Sequence, residues 1–233
     1  MEMVVAGKVF RLLESLPLNE VAFKLDGYKM EDHYEENNYR FNLISEVVRL
    51  SAGSNAIKGI YSHDYVTRIF HRGQLIPTPK TIEALFNINY FDGFTLLTVV
   101  ERKRLANFIA NKLSEVIFGR IGGIVEARIS PEALKAFHMK NPEDTKIVFF
   151  DNVDIPNVDK LSLYGPDLMN ASIFEEYCKR GDLWYIVARD KKYGYVIGVT
   201  RDASITIFNI SDRDKYLEYV TNEICPLILK SSS

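Results

Sequence analysis

The amino-acid sequence predicts an α+β protein made of two similar modules, each a mainly antiparallel β-meander packed by amphipathic helices. Segments with strand-like alternation outnumber helical ones, and no regular βαβ alternation is present. In addition, the apolar pattern of residues 84–118 recurs in residues 195–229, which indicates a possible internal duplication. We therefore divide the chain into a first module at residues 1–119 and a second at residues 120–233.

The repeat emerges when the chain is aligned with itself at an offset of 111 residues. In that register Leu85 coincides with Val196, and Leu113 coincides with Ile224. Few aligned residues are identical, and two unrelated strand–helix units also produce matching apolar periods. Duplication and coincidence are therefore both open interpretations of the sequence.

Composition and charge restrict the class of protein. The 233 residues are 47% hydrophobic and 26% charged, which is typical of a globular protein and excludes disordered and collagen-like chains. The formal charge of −2 gives no bulk attraction to nucleic acid or anionic lipid. No apolar run reaches the roughly 18–20 residues of a membrane span, and the first residues lack the pattern of a signal peptide. We expect a cytoplasmic protein without membrane association, in which Cys178 and Cys225 are free thiols, with a single disulfide between them as the alternative.

The first module is expected to begin with a helix. Apolar residues between positions 5 and 16 recur at helical spacing. Residues 20–25 alternate like a half-buried strand, and the acidic residues 31–38 predict an exposed loop. Residues 43–53 predict a second helix that ends near a glycine.

The rest of this module is expected to be a hairpin and a long helix. Residues 57–70 predict strand structure that is interrupted by two prolines further on. Residues 84–99 predict a hairpin with an Asp-Gly turn. Residues 105–117 predict an amphipathic helix that is capped by Gly119.

The second module is expected to alternate short helices and strands. After a strand at residues 124–129, Ser130 and Pro131 are typical of a helix start. The other expected elements are a strand at 146–150, a loop at 151–170, a helix at 172–179, strands at 183–189, 193–200 and 204–210, and a closing helix at 212–229.

A basic and aromatic segment provides the first candidate site. From Lys191 the sequence Lys-Lys-Tyr-Gly-Tyr-Val-Ile-Gly resembles the aromatic octamer of RNA-recognition-motif domains, although Lys192 replaces a glycine and the last position is not aromatic. The resemblance covers eight residues, and it implies that aromatic rings stack bases while cations meet phosphates. It implies single-stranded nucleic-acid binding by Arg189, Lys191, Lys192, Tyr193 and Tyr195. The alternative is a charged hairpin whose tyrosines pack on the closing helix.

Histidines provide the second candidate site. His33, His63 and His71 lie close together in the sequence, and Asp64 follows His63. Imidazole and carboxylate groups bind zinc, iron or manganese, and an open coordination position activates water. These four residues therefore define a possible metal-dependent hydrolase site. Their spacing matches no helical metal motif, and a solvated loop around His33 is the alternative.

The leading functional prediction is a non-catalytic binding or scaffold protein without a cofactor. No Gly-x-Ser-x-Gly elbow and no phosphate-binding loop is present in the sequence. A duplicated architecture without a catalytic motif favours a protein partner or self-association through a sheet face or edge. Nucleic-acid binding and metal-dependent hydrolysis are the two alternatives.

Overall fold

A computed structural model describes residues 4–140, 145–165, 168 and 172–231. Within these residues a single antiparallel sheet of twelve strands is combined with helices, which confirms the α+β class. The strands are β1 (Val5–Leu12), β2 (Lys29–Glu36), β3 (Tyr39–Ala52), β4 (Ala56–His71), β5 (Gln74–Phe91), β6 (Phe94–Val100), β7 (Ile124–Glu126), β8 (Thr145–Ile155), β9 (Val158–Tyr164), β10 (Asp182–Arg189), β11 (Val196–Thr200) and β12 (Ser204–Ile207).

The strand order places β1 near the middle of the sheet. The order is β2-β3-β4-β5-β6-β1-β12-β11-β10-β8-β9, and β7 pairs with β1 beside this path. β1 therefore bonds to strands from both predicted modules, namely β6, β7 and β12. One sheet crosses the predicted boundary after residue 119, and the division into modules stays a prediction.

Helices cover opposite faces of the two halves of the sheet. The helices are α1 (Leu18–Leu25), α2 (Lys103–Phe118), α3 (Pro131–Lys140), α4 (Ser172–Arg180), α5 (Arg213–Tyr219) and α6 (Cys225–Ser231), with a π-helical turn at Val220–Ile224 between the last two. The two faces of the sheet carry two hydrophobic cores. Neighbouring residues of β6 belong to different cores, because successive side chains of a strand point to opposite faces. Leu97 and Val99 pack in one core with α1 and α2, whereas Leu96 and Val100 pack in the other with α3 to α6.

The first predicted helix is wrong, because residues 5–12 form strand β1. This strand is buried on both faces, since α2 covers one side and α5 the other. Burial on both sides removes the alternation that identifies a strand, and the remaining apolar residues imitate helical spacing. At Gly7 a Cβ atom would lie 2.5 Å from the Tyr216 hydroxyl, so glycine permits the close approach of α5.

Three further predictions for the first module are also wrong. Residues 18–25 form helix α1, in which Val21 and Leu25 are buried four positions apart and Glu20 pairs with Lys24 at 3.1 Å. The predicted loop at residues 31–38 lies in the β2–β3 hairpin, and the helix predicted at residues 43–53 is strand β3. β2 is an exposed outer strand, so its side chains lack the apolar alternation of a half-buried strand.

Predicted elements that are bounded by a turn or a helix-capping residue are confirmed. The β5–β6 hairpin turns at Asp92 and Gly93, and both have positive φ. α2 ends at Gly119 with φ of 68°, and α3 begins where the Ser130 hydroxyl accepts the Ala133 amide at 3.1 Å. Helix α4, strand β10 and the closing helical segment follow the prediction closely. Strand β11 begins only at Val196, so Tyr193 and Tyr195 lie in the turn before it and not on the predicted strand, and β12 ends at Ile207 instead of residue 210. Cys178 and Cys225 are free.

Two regions predicted to lie outside strands, the proline segment after residue 70 and the loop at residues 151–170, contain strand structure. β5 continues through Pro77 and Pro79, and β8 and β9 occupy much of the loop predicted at residues 151–170. Proline is compatible with a strand whose outer edge is open. That condition holds at Pro77 and Pro79, because β6 pairs with β5 only over residues 85–91.

Candidate functional site

A two-stranded arm extends from one end of the sheet. β3 pairs with β4 as far as His63, and β6 pairs with β5 only from Leu85 onward. Beyond His63 and Leu85, β4 and β5 therefore pair only with each other, from Tyr65 opposite Lys80 to His71 opposite Gln74 at the tip. We call residues 65–80 the arm. A ribbon of two strands has little stability by itself.

The arm is both apolar and cationic. Phe70 is 70% exposed and faces Leu75, which is 62% exposed. Ile69 lies on the other face of the ribbon and is 45% exposed, so both faces of the arm present apolar side chains. The arm also contains three cationic residues and no Asp or Glu, and its cations are Arg68, Arg72 and Lys80.

The β2–β3 hairpin beside the arm has the opposite charge. Its residues 29–46, which we call the acidic hairpin, contain five carboxylates and two cations. The carboxylates are Glu31, Asp32, Glu35, Glu36 and Glu46, and the cations are Lys29 and Arg40. β2 is an outer strand of the sheet, and Arg68 of the arm donates to the Glu36 carboxylate at 2.8 Å. The two oppositely charged elements therefore lie side by side at one end of the molecule.

A groove lies between α2 and the base of the arm. It has a volume of about 490 Å³, and we call it the α2 groove. His63 and Ile82 face each other across β4 and β5 at its floor. The other lining residues are Tyr65, Glu101, Arg102, Arg104, Leu105 and Phe108. Most of the exposed lining is carbon, and the charged side chains come from the first turn of α2 and from the two residues just before it.

His63 is held in place by contacts on two sides. Its Nδ1 lies 2.8 Å from the Ser45 hydroxyl, and its ring lies 4.9 Å from that of Phe108. Partial burial lowers the pKa of His63, and the positive charge of Lys112 adds to the effect. The imidazole is therefore neutral at pH 7. Below it Tyr61 is fully buried, and burial raises its pKa to about 12.

The predicted metal ligands do not come together in the structure. His63 and Asp64 are neighbours on β4, so their side chains point to opposite faces of the sheet. Asp64 accepts the Ile44 amide at 3.0 Å, and His33 bonds to Asn42 on the exposed β2–β3 hairpin. His71 is at the far end of β4, near the tip of the arm. Among the residues described, no three His, Cys, Asp or Glu side chains form a group able to hold a metal ion.

The two predicted base-stacking tyrosines pack against the closing helical segment. The rings of Tyr193 and Tyr195 lie 5.1 and 5.6 Å from the ring of Tyr219. Asp190 organises the turn, since one of its carboxylate oxygens accepts the Lys192 amide at 2.8 Å and the other accepts the Tyr219 hydroxyl at 3.0 Å.

The cations of this turn are oriented partly by contacts within the chain. Lys192 pairs with Glu223 at 2.9 Å, while Arg189 and Lys191 have exposed side chains. Both predicted stacking rings are thus engaged within the molecule, and nucleic-acid binding by this turn stays a prediction.

Sequence reasoning missed most residues of the arm and the groove. The helix predicted at residues 105–117 includes Leu105 and Phe108, but nothing in its apolar stripe shows which positions the sheet leaves open. The absence of Asp and Glu from residues 65–80 was the one local signal for the arm. The groove has no local signal, because its walls come from β4, β5 and α2.

Comparisons with known proteins add no assignment. The chain matches no protein-family model, and no curated protein is significantly similar to it. In the part of the chain that the structure describes, no helix has the length and apolar character of a membrane span.

Proposed function

We propose that this chain is a non-catalytic scaffold protein that forms a homodimer, in which the arm of each copy lies on the acidic hairpin of the other. The observation that carries the proposal is the pairing of a cationic, apolar arm with an acidic outer hairpin at the same end of the molecule. Self-association is the binding mode of this protein, and it requires no cofactor.

Charge supports this pairing. The arm has three cations without a carboxylate, and the acidic hairpin has an excess of three negative charges, counting its five carboxylates against its two cations. Of the arm's cations, Arg68 is already bound to Glu36 within the chain. Arg72 and Lys80 have no ion pair among the described residues, so they are available to a second copy. Opposite charge on facing surfaces favours the correct partner and speeds association.

Exposed apolar side chains support burial of the same surface. Phe70 and Leu75 at the tip of the arm lose hydration when they are covered, which contributes about 25 cal/mol per Å² of apolar area. Met30 and Tyr39 on the acidic hairpin are exposed as well and provide apolar contact area. Pro77 lacks a backbone N–H, which disfavours addition of a strand to the open edge of β5. The arm is therefore expected to bind through its faces.

Symmetry explains why two copies are sufficient. In a two-fold dimer the same patch of both copies meets, and each contact occurs twice. The arm and the acidic hairpin are neighbours, so one two-fold axis allows both contacts to form together. Pairing of β2 with β2 of another copy is disfavoured, because rows of carboxylates would face each other.

A charge-swap experiment tests the dimer. The arm variant is Arg72→Glu with Lys80→Glu, and the hairpin variant is Glu31→Lys with Glu35→Lys. Light scattering after size-exclusion chromatography should give the wild type about twice the chain mass of 26.7 kDa. Each variant alone should be monomeric, because its arm and hairpin then have the same sign. An equimolar mixture should recover the dimer, since both contacts become complementary again.

A matched control separates the interface from net charge. Lys135→Glu with Lys179→Glu on α3 and α4 makes the same change of charge as the arm variant and should leave the dimer intact. A wild type that stays monomeric at about 100 µM would refute self-association. This interface would be refuted if the arm variant and the hairpin variant each remained dimeric alone. It would also be refuted if their equimolar mixture stayed monomeric.

We also propose that the two halves of the chain arose by duplication. Each half contributes a meander and packs its own helices on one face of the sheet, with α1 and α2 on one face and α3 to α6 on the other. The 111-residue offset pairs β5, β6 and α2 with β11, β12 and the closing helical segment. Expression of residues 1–119 tests the matching domain division: a cooperative unfolding transition supports it, and an unfolded fragment contradicts it.

A further inference from the structure

We propose that the α2 groove binds a small organic anion with an apolar tail, such as a medium- or long-chain carboxylate. The groove shares Tyr65 with the arm, whereas none of the charged residues of the acidic hairpin lines it. Three features of the groove favour such a ligand, namely its volume, its apolar floor and the two arginines at its rim.

The size and lining of the groove suit a small ligand. A volume of about 490 Å³ lies within the range of roughly 300–1,000 Å³ that is common for ligand sites. Ile82, Leu105 and Phe108 offer carbon surface to a chain or ring, and the side of Tyr65 extends that surface toward the arm. The neutral His63 ring at the floor does not oppose an apolar group.

The charged rim selects an anion. Arg102 and Arg104 are exposed at the start of α2, and neither has an ion-pair partner among the residues described. A guanidinium group binds a carboxylate or phosphate through two parallel hydrogen bonds. Glu101 is the single carboxylate in the lining, so the two arginines leave an excess of positive charge at the mouth.

A second cavity shows why the α2 groove is the better candidate. A space of about 530 Å³ beneath the opposite face of the sheet is lined by Arg49, Lys58 and Arg213. Its charges are already partly compensated, since Lys58 pairs with Asp214 at 2.6 Å and Glu83 also lines it. Its cations therefore provide a matched control for a test of the α2 groove.

Fluorescence titration with 11-(dansylamino)undecanoic acid tests the proposal, with the methyl ester of the same compound as an uncharged comparison. The acid should bind saturably, with a Kd in about the micromolar range. The Kd of the ester should be at least about tenfold higher. Arg102→Gln with Arg104→Gln should weaken the acid about tenfold and leave the affinity for the ester unchanged. Arg49→Gln with Arg213→Gln should change neither affinity.

The outcomes separate this site from the dimer. Both arginines of the rim are exposed, so their replacement is expected to leave the fold intact, which circular dichroism checks. The hairpin variant with Glu31→Lys and Glu35→Lys should become monomeric and still bind the acid, because neither residue lines the groove. Absence of saturable binding would overturn the proposal, as would equal affinity for acid and ester. Loss of binding in the Arg49 and Arg213 control would overturn it in favour of the opposite cavity.

Discussion

Replacement of Asp202 by Asn would leave the buried ammonium group of Lys8 with one carboxylate instead of two. The Lys8 side chain is 0% exposed, and its Nζ lies 2.9 Å from Glu126 Oε1 and 3.0 Å from Asp202 Oδ2. Lys103 of α2 pairs with the same carboxylate of Asp202. These four side chains join the central strand β1 to β7, to the β11–β12 turn and to α2.

The expected cost follows from burial. Removing one partner of a fully buried ion pair costs about 3–5 kcal/mol, because the remaining charge is left uncompensated. Glu126 stays beside Lys8, and Asp202 is itself 28% exposed, so we expect a smaller loss of about 2–3 kcal/mol. A chain of this length loses roughly 2–4 °C in Tm per kcal/mol, which gives a decrease of about 4–12 °C.

The pH dependence of this loss has a defined sign. Burial alone would raise the pKa of Asp202, but hydrogen bonds from Lys103, Thr200 and Lys8 hold it well below its usual range. A carboxyl group whose pKa is lowered on folding contributes stability above its unfolded pKa of about 3.9 and loses it as the pH falls further. The difference between wild type and Asp202→Asn should therefore be full at pH 7 and shrink below about pH 4.

Urea denaturation at several pH values measures the effect. Lys8→Met keeps the apolar stem and removes the buried charge, so the double variant with Asp202→Asn should cost less than the sum of the single changes. A loss below about 0.5 kcal/mol for Asp202→Asn, the range of an ordinary surface substitution, would refute the reasoning. Strict additivity in the double variant would refute the direct coupling of the two groups.

Three other measurements probe the fold. Burial lowers the pKa of His138 to about 4, so unfolding should become about 3 kcal/mol easier as the pH falls from 6.5 to 4, a slope that His138→Gln should lack in urea titrations. Gly7→Ala should cost about 1–3 kcal/mol by thermal denaturation, whereas Gly53→Ala, where the nearest atom is 3.6 Å from the new Cβ, should not. Tyr219→Phe removes a hydroxyl that donates to buried Asp190 and should cost about 1–3 kcal/mol; an unchanged midpoint would show that the bond is not needed.

The sequence predicts individual residues of the candidate sites but not the contacts between them. The sequence indicates His63 as a metal ligand, whereas its structural partners are Ser45 and Phe108, which no spacing rule connects to it. The tyrosines of the β10–β11 turn were recognised as a cluster, and their contact with Tyr219 depends on a helical segment that follows later in the chain. Residue types were thus visible early, while their partners were not.

Some elements were determined by the sequence alone, because their signals are local. Gly119 ends α2 with a left-handed conformation, and Ser130 caps α3 through its own hydroxyl group. The Asp92-Gly93 turn likewise sets the register of its hairpin within a few residues. In each case the residues that decide the structure are neighbours in the chain.

The tertiary structure decided the centre of the fold. β1 is a strand because neighbouring strands and helices bury both of its faces, and the same burial places Lys8 at the centre of an ion cluster. Its partner Asp202 is 194 residues away in the chain. The arm and the α2 groove depend in the same way on where β3 and β6 stop pairing. Contacts of such long sequence separation leave no period or spacing in the sequence, because they form only when the whole sheet is assembled.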